Sequence, residues 1–274
     1  MATIKSIKLP NQIQLQYVEQ GNSSGIAVIL LHGITDSWRS FELILPDLPA
    51  SIHAFALSQR GHGDSARPEA GYHPRDFAAD VAEFMDAHKI SSAVIVGHSM
   101  GSYIAQQFAI DYPERTLGVV LIGSFTSLQD NQSVEEFRAA VSTLTDPVDR
   151  SFALEFQQST MARPVPEAFL DTVVAESLKL PARVWRSALE GLLEIDHRKE
   201  LNKIKAPTLI VWGNRDVFCS RSEQEALTAG ITNSRFVEYK DTGHAPHWEE
   251  PDRFADDLVS FVENIETRSD AHSN

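Results

Sequence analysis

Ala93-Val94-Ile95-Val96-Gly97-His98-Ser99-Met100-Gly101 is the stretch that decides the fold. Four consecutive apolar residues suit a strand covered on both faces. The Ser102–Asp111 segment that follows reads as a helix. Between them, Gly97, Ser99 and Gly101 place G-x-S-x-G at a sharp strand-to-helix turn. Such a turn holds its serine in a strained backbone conformation, and side chains at 97 and 101 would collide with the neighbouring strand and helix. The hydroxyl of Ser99 is then expected at the C-terminal edge of a sheet. The Met100 N–H, in the first helical turn, is free to donate to a developing oxyanion.

Working outward, two segments at the start, Thr3–Leu9 and Gln12–Glu19, alternate apolar and polar residues around Pro10-Asn11 and predict an antiparallel hairpin. Continuous apolar runs follow at Ile26–Leu31, Ala54–Leu57, Val119–Ile122 and Thr208–Trp212. Helical patterns lie between them. Phe77, Val81, Phe84 and Met85 share one face of a helix that Pro74 can start, and Phe254, Leu258, Phe261 and Val262 share a face of one opened by Pro251. Ser220-Arg221-Ser222-Glu223 reads as a capping box, with Gly230 as the stop. Alternating strands and helices predict an α/β fold with a mostly parallel sheet. The stretch 125–205 breaks the alternation. It has helical patterns separated by prolines and no clear strand, and is expected to be a helical cap inserted into a core of 1–124 and 206–266, with 267–274 as a flexible tail.

The chain has 274 residues, 42% hydrophobic and 23% charged, enough for one large domain with an insertion. Its formal net charge of −14 argues against nucleic acid and anionic membrane surfaces as partners. Cys219 is the single cysteine, so no intrachain disulfide forms. The first ten residues hold no apolar core long enough for a signal peptide, and no apolar stretch is of membrane-spanning length, which sets the expectation of a soluble, cytoplasmic protein.

Serine needs a base within hydrogen-bond reach, and the base needs an orienting carboxylate. In an open α/β sheet these come from loops at the C-terminal ends of strands. Asp216 follows the Thr208–Trp212 run and is placed to be the carboxylate, although an isolated loop aspartate also serves Asx-turns. His244 follows Arg235–Tyr239 and is placed to be the base, its ordinary pKa of roughly 6.5 suiting proton transfer. His247 competes with it but is expected to pack near the last helix. With no third ligand beside that His-x-x-His pair, no metal site is expected. The loop Leu31-His32-Gly33-Ile34 should supply the second oxyanion donor from the Ile34 N–H. His32, His98, Arg60 and Asp64 are read as structural, and Asp80, Asp86 and Asp196 as solvated faces or caps.

Assembled in chain order, His32-Gly33, Arg60-Gly61-His62-Gly63-Asp64-Ser65, the Ser99 turn, Asp216 and Gly243-His244 resemble the α/β-hydrolase superfamily over nearly the whole length. The closest likeness is to small bacterial capped serine hydrolases. By resemblance Ser99 is the nucleophile, His244 the base and then acid, Asp216 its orienter, and Ile34 and Met100 the oxyanion hole. No cofactor is implied. A serine at 99, where epoxide hydrolases and haloalkane dehalogenases carry aspartate, implies acyl transfer to water from a small to medium ester or lactone. The alternatives are a carbon–carbon bond hydrolase of ring-cleavage diketones and a receptor that keeps the triad but mainly binds; perhydrolase and acyltransferase activity are side possibilities of the ester hydrolase. Trp38, Phe125, Trp185 and Val217, with Leu128, Phe152, Phe156 and Phe218, are the expected pocket walls, although Phe152 and Phe156 also read as cap core.

Overall fold

A computed structural model describes residues 3–129 and 131–272. Eight strands form one sheet: β1 (Thr3–Lys8), β2 (Gln14–Gln20), β3 (Ile26–Leu31), β4 (Ile52–Ser58), β5 (Ala93–His98), β6 (Thr116–Ile122), β7 (Thr208–Gly213) and β8 (Ser234–Tyr239), in the order β1-β2-β4-β3-β5-β6-β7-β8. The β1–β2 hairpin is antiparallel and β2 pairs antiparallel with β4; the remaining pairs are parallel. This follows the hydropathy pattern. The alternating segments lie at one edge of the sheet, and the continuous runs are buried on both faces.

Along each central strand successive side chains enter different cores. Ile29, Leu31, Ile95 and Leu121 pack with α1 (Pro74–Ala87) and α2 (Met100–Asp111) on one face. Val28, Leu30, Val96 and Ile122 pack with α9 (Pro251–His272) on the other. That is the two-residue period of a strand with both faces covered. Pro74 opens α1 as expected. His73 supplies the cap, its ring accepting from the Arg75 N–H at 3.2 Å while Asp76 Oδ2 accepts from the His73 N–H at 3.0 Å. α7 (Arg221–Gly230) is capped by Ser220, but the expected box is only half made. Glu223 turns its carboxylate to Thr126, accepting from the backbone N–H at 2.6 Å and the hydroxyl at 2.8 Å.

Four helices lie between β6 and β7: α3 (Gln132–Ser142), α4 (Arg150–Ser159), α5 (Glu167–Leu178) and α6 (Ala182–Leu193). They roof the C-terminal edge of the sheet. A short α8 (Pro246–Glu249) precedes α9. Of the stretch read as a tail, 267–272 continues α9 in helical backbone, and 273–274 lie outside the described residues.

Asp80 differs from its reading as a solvated residue. It is buried and grips Arg60 with two bonds of 2.6 Å, from Nε and Nη2. Arg60 is thereby structural, as expected, while Asp64 makes an exposed pair with Lys179 at 3.0 Å.

Candidate active site

Strand order reverses between β3 and β5, since β4 lies on one side of β3 and β5 on the other. A crevice opens at such a switch point beyond the carboxyl ends of the strands. His32-Gly33-Ile34 leaves β3 there, and Ser99 leaves β5.

Ser99 has φ 50° and ψ −113°, a conformation L side chains rarely adopt. Its own N–H donates to Ile122 O of β6 at 2.9 Å, and Ser102 Oγ donates to its carbonyl at 2.6 Å, so the turn is held from both sides. A Cβ at Gly97 would overlap the Gly101 carbonyl, and one at Gly101 would overlap the Leu31 carbonyl of β3. Both glycines therefore have the steric role read from the sequence.

Asp216 and His244 meet. His244 Nδ1 lies 2.8 Å from Asp216 Oδ2, and both side chains are almost fully buried. A carboxylate accepts, so Nδ1 carries the proton and Nε2 the lone pair. Asp216 Oδ1 accepts from the Phe218 and Cys219 N–H groups at 2.8 and 3.0 Å, which fixes the carboxylate in place. The His244 loop is clamped by the cap: His244 N–H donates to Thr160 O at 2.8 Å, and Glu249 accepts from Gly243 N–H at 2.8 Å and from Arg163 N–H at 2.7 Å. Neither the Ile34 nor the Met100 N–H has a hydrogen-bond partner among the described residues.

Ser99 and His244 face one cleft. Ile34, Phe125, Leu128 and Phe218 line it from the core loops; Val134 and Phe137 of α3, Phe156 of α4, and Leu189 and Leu192 of α6 roof it. Its polar end carries Asp36, His98, Gln157 and Thr160 beside Trp248, and no lysine or arginine lines it among the described residues.

Of the four expected walls, Phe125 is on the cleft. Trp38 is not: it packs in the core on the α9 side of the sheet, with the Arg39 guanidinium 4.7 Å from its ring. Trp185 sits behind the roof, fully buried among Phe137, Phe152 and Phe156. Val217 is 58% exposed and lines a groove outside the cleft with Phe152. Asp36, Gln157 and Thr160 were not anticipated as cleft residues. Nothing local in the loop after β3 marks Asp36 for the cleft, and nothing local in α4 marks Gln157.

His247 points away from the dyad to Ser40, its Nε2 3.2 Å from Oγ, and burial pushes its pKa down to about 3. His32 is structural: its Nε2 accepts from the Gln59 N–H at 3.0 Å. A cysteine does approach the base, contrary to expectation. Donor atoms of Asp216, Cys219 and His244 lie within 4.8 Å of one another. The dyad bond occupies Nδ1, Cys219 Sγ donates to Gly123 O at 3.3 Å, and burial holds the thiol protonated well above its usual range.

Residues 26–251 match the family model described as alpha/beta hydrolase fold. Lipase 1 of Psychrobacter immobilis is 26% identical over 274 residues, covering 97% of this chain and 86% of the relative. The 2-hydroxy-6-oxononadienedioate/2-hydroxy-6-oxononatrienedioate hydrolase of Paraburkholderia phymatum is 29% identical over 186 residues, 65% of each chain. Among solved structures, an esterase from Rhodococcus sp. ECU1013 superposes with a TM-score of 0.84 at 25% identity, covering 96% of this chain and 99% of that one.

Proposed function

The chain belongs to the α/β-hydrolase fold family, and from that premise we propose that it is a serine carboxylic-ester hydrolase working through an acyl-enzyme. The observation that carries this reading is the 2.8 Å Asp216–His244 bond on the cleft that Ser99 also faces. Asp216 keeps the His244 lone pair on Nε2, and Nε2 takes the Ser99 proton as Oγ attacks the ester carbonyl. The free N–H groups of Ile34 and Met100 receive the negative charge that grows on the carbonyl oxygen. Collapse expels the alcohol, which takes its proton from His244. Water then repeats the sequence and releases the acid. The apolar roof suits a small to medium acyl chain, and the lack of a basic lining residue among the described residues disfavours polyanions.

A second reading, a carbon–carbon bond hydrolase, is favoured by the Paraburkholderia relative. The test is turnover of p-nitrophenyl esters from acetate to dodecanoate by wild type and Ser99→Ala. Turnover lost in Ser99→Ala, with an unchanged circular dichroism spectrum, supports the serine mechanism. Turnover that persists refutes it, and turnover of vinylogous diketones but no ester moves the assignment to the second reading.

A further inference from the structure

We propose that the Asp36–His98 corner of the cleft is a hydroxyl-binding subsite, so that the preferred ester carries a free alcohol near the bond it breaks. The chemical class follows from which protons are already committed. His98 Nε2 lies 3.1 Å from the His244 carbonyl oxygen, which can only accept. The proton is therefore on Nε2, and Nδ1 is a lone pair. That atom is buried and has no partner in the chain.

Asp36 Oδ2 stands 4.0 Å from it. Both atoms are acceptors and a hydroxyl carries one proton, so the pair asks for two donors, which the adjacent hydroxyls of a 1,2-diol supply. The other carboxylate oxygen, Oδ1, accepts from Gln157 Nε2 at 2.9 Å. Ser40 Oγ approaches Oδ2 only at a long 3.5 Å. Asp36 and His98 both line the cleft, and so does Gly33 between them. A Cβ on Gly33 would lie 2.9 Å from His98 Nδ1 and 3.1 Å from Asp36 Oδ2, so both acceptors lie close against this glycine and a side chain there would crowd them.

Gln157 holds Asp36 in place. Its Nε2 lies 2.9 Å from Asp36 Oδ1 and from Ser177 Oγ, and 3.3 Å from Thr35 Oγ1. The carboxylate can only accept, which turns the amide nitrogen towards it. A corner made of acceptors must be met by a donor. A hydroxyl matches it better than an ammonium, because one buried carboxylate does not offset the desolvation of a cation in a cleft that is otherwise apolar. A substrate lacking the donor leaves a buried lone pair unmet, a loss of roughly tenfold to hundredfold in binding or rate.

This subsite is independent of the bond-breaking chemistry, although its place beside Ile34 rests on the proposed esterase reading. The test compares kcat/KM for glycerol 1-monobutyrate and propyl butyrate, esters of the same acyl chain. Wild type should favour the glycerol ester by tenfold or more. In Asp36→Asn a donor replaces one of the two acceptors, so the ratio should fall close to one; a purely structural role would lower both rates in step and leave the ratio unchanged. In parallel, Ser99→Ala is titrated with 1-O-hexylglycerol and hexyl propyl ether, following Trp248 fluorescence. If neither ester turns over but the glycerol ether binds tenfold tighter, the subsite stands and the esterase reading falls. A wild-type ratio near one with equal ether binding overturns the subsite. So does a preference for an aminoalkyl butyrate over the glycerol ester, or a ratio unmoved in Asp36→Asn.

Discussion

Asp36→Asn should make this protein more stable, and increasingly so as pH rises. Burial pushes the Asp36 carboxyl from 3.8 up to about 7. The groups around it do not offset this. Gln157 of α4 and Ser40 donate to it, Glu176 of α5 repels it, His98 presents a lone pair at 4.0 Å, and His247 lies beyond Ser40 as a neutral ring. With the folded-state pKa raised, the stabilising contribution is full below the unfolded value near 3.8 and is lost as pH climbs through about 7. The shift corresponds to about 4 kcal/mol across that window. Asparagine does not titrate. Its Oδ1 can still accept from Gln157, and its Nδ2 puts an uncharged group where Oδ2 stands 4.0 Å from His98 Nδ1. The stability difference between variant and wild type should therefore grow by about 3 kcal/mol between pH 5 and pH 8 in urea titrations, because the other carboxyls titrate alike in both proteins. A difference that is flat with pH, or that turns against the variant above pH 7, would refute the reasoning. It would mean that Asp36 is held ionised by a partner, with a protonated His98 the first suspect.

The strained Ser99 backbone predicts that Ser99→Gly melts higher than Ser99→Ala, by about 1 kcal/mol, since only glycine relaxes at φ 50°; equal melting temperatures would deny the strain. Asp80→Ala strips the buried Arg60 of its partner and should cost about 3–5 kcal/mol in chemical denaturation. A loss below 1 kcal/mol would show that water reaches the guanidinium. Leu189→Trp fills the roof of the cleft and should move the best p-nitrophenyl ester towards shorter acyl chains; an unmoved optimum would place the acyl chain elsewhere.

The frame of the fold was legible because its signals are local. Five apolar runs became β3 to β7, Arg235–Tyr239 lies in β8, and the Ser99 turn sits where its glycines demand. The walls of the cleft were not legible, and α6 shows why. Trp185, Leu189 and Leu192 share one buried helix face, and periodicity marks all three as inward. Only the arrangement of α3 and α4 decides that the tryptophan ends among phenylalanines while the leucines reach the cleft. Trp38 failed for the same reason, being apolar and close to the Ile34 loop yet turned to the opposite core. Asp80 was misread because its partner, Arg60, lies 20 residues away on another element. Gln157 and Asp36 are 121 residues apart, and no sequence pattern joins them.

The bond from the His244 N–H to Thr160 O, and those binding Glu249 to Gly243 and Arg163, carry a consequence for anyone who would remodel the roof. The end of α4 and the loop bearing the imidazole are sewn into one piece of masonry. A transplanted cap that offers new walls but a differently placed carbonyl at position 160 would arrive with its keystone missing, and the histidine would settle out of line with Ser99. Swaps that spare 160–163 should therefore retune which molecules fit, whereas swaps that cross this seam should silence the chemistry before any change of preference could be seen.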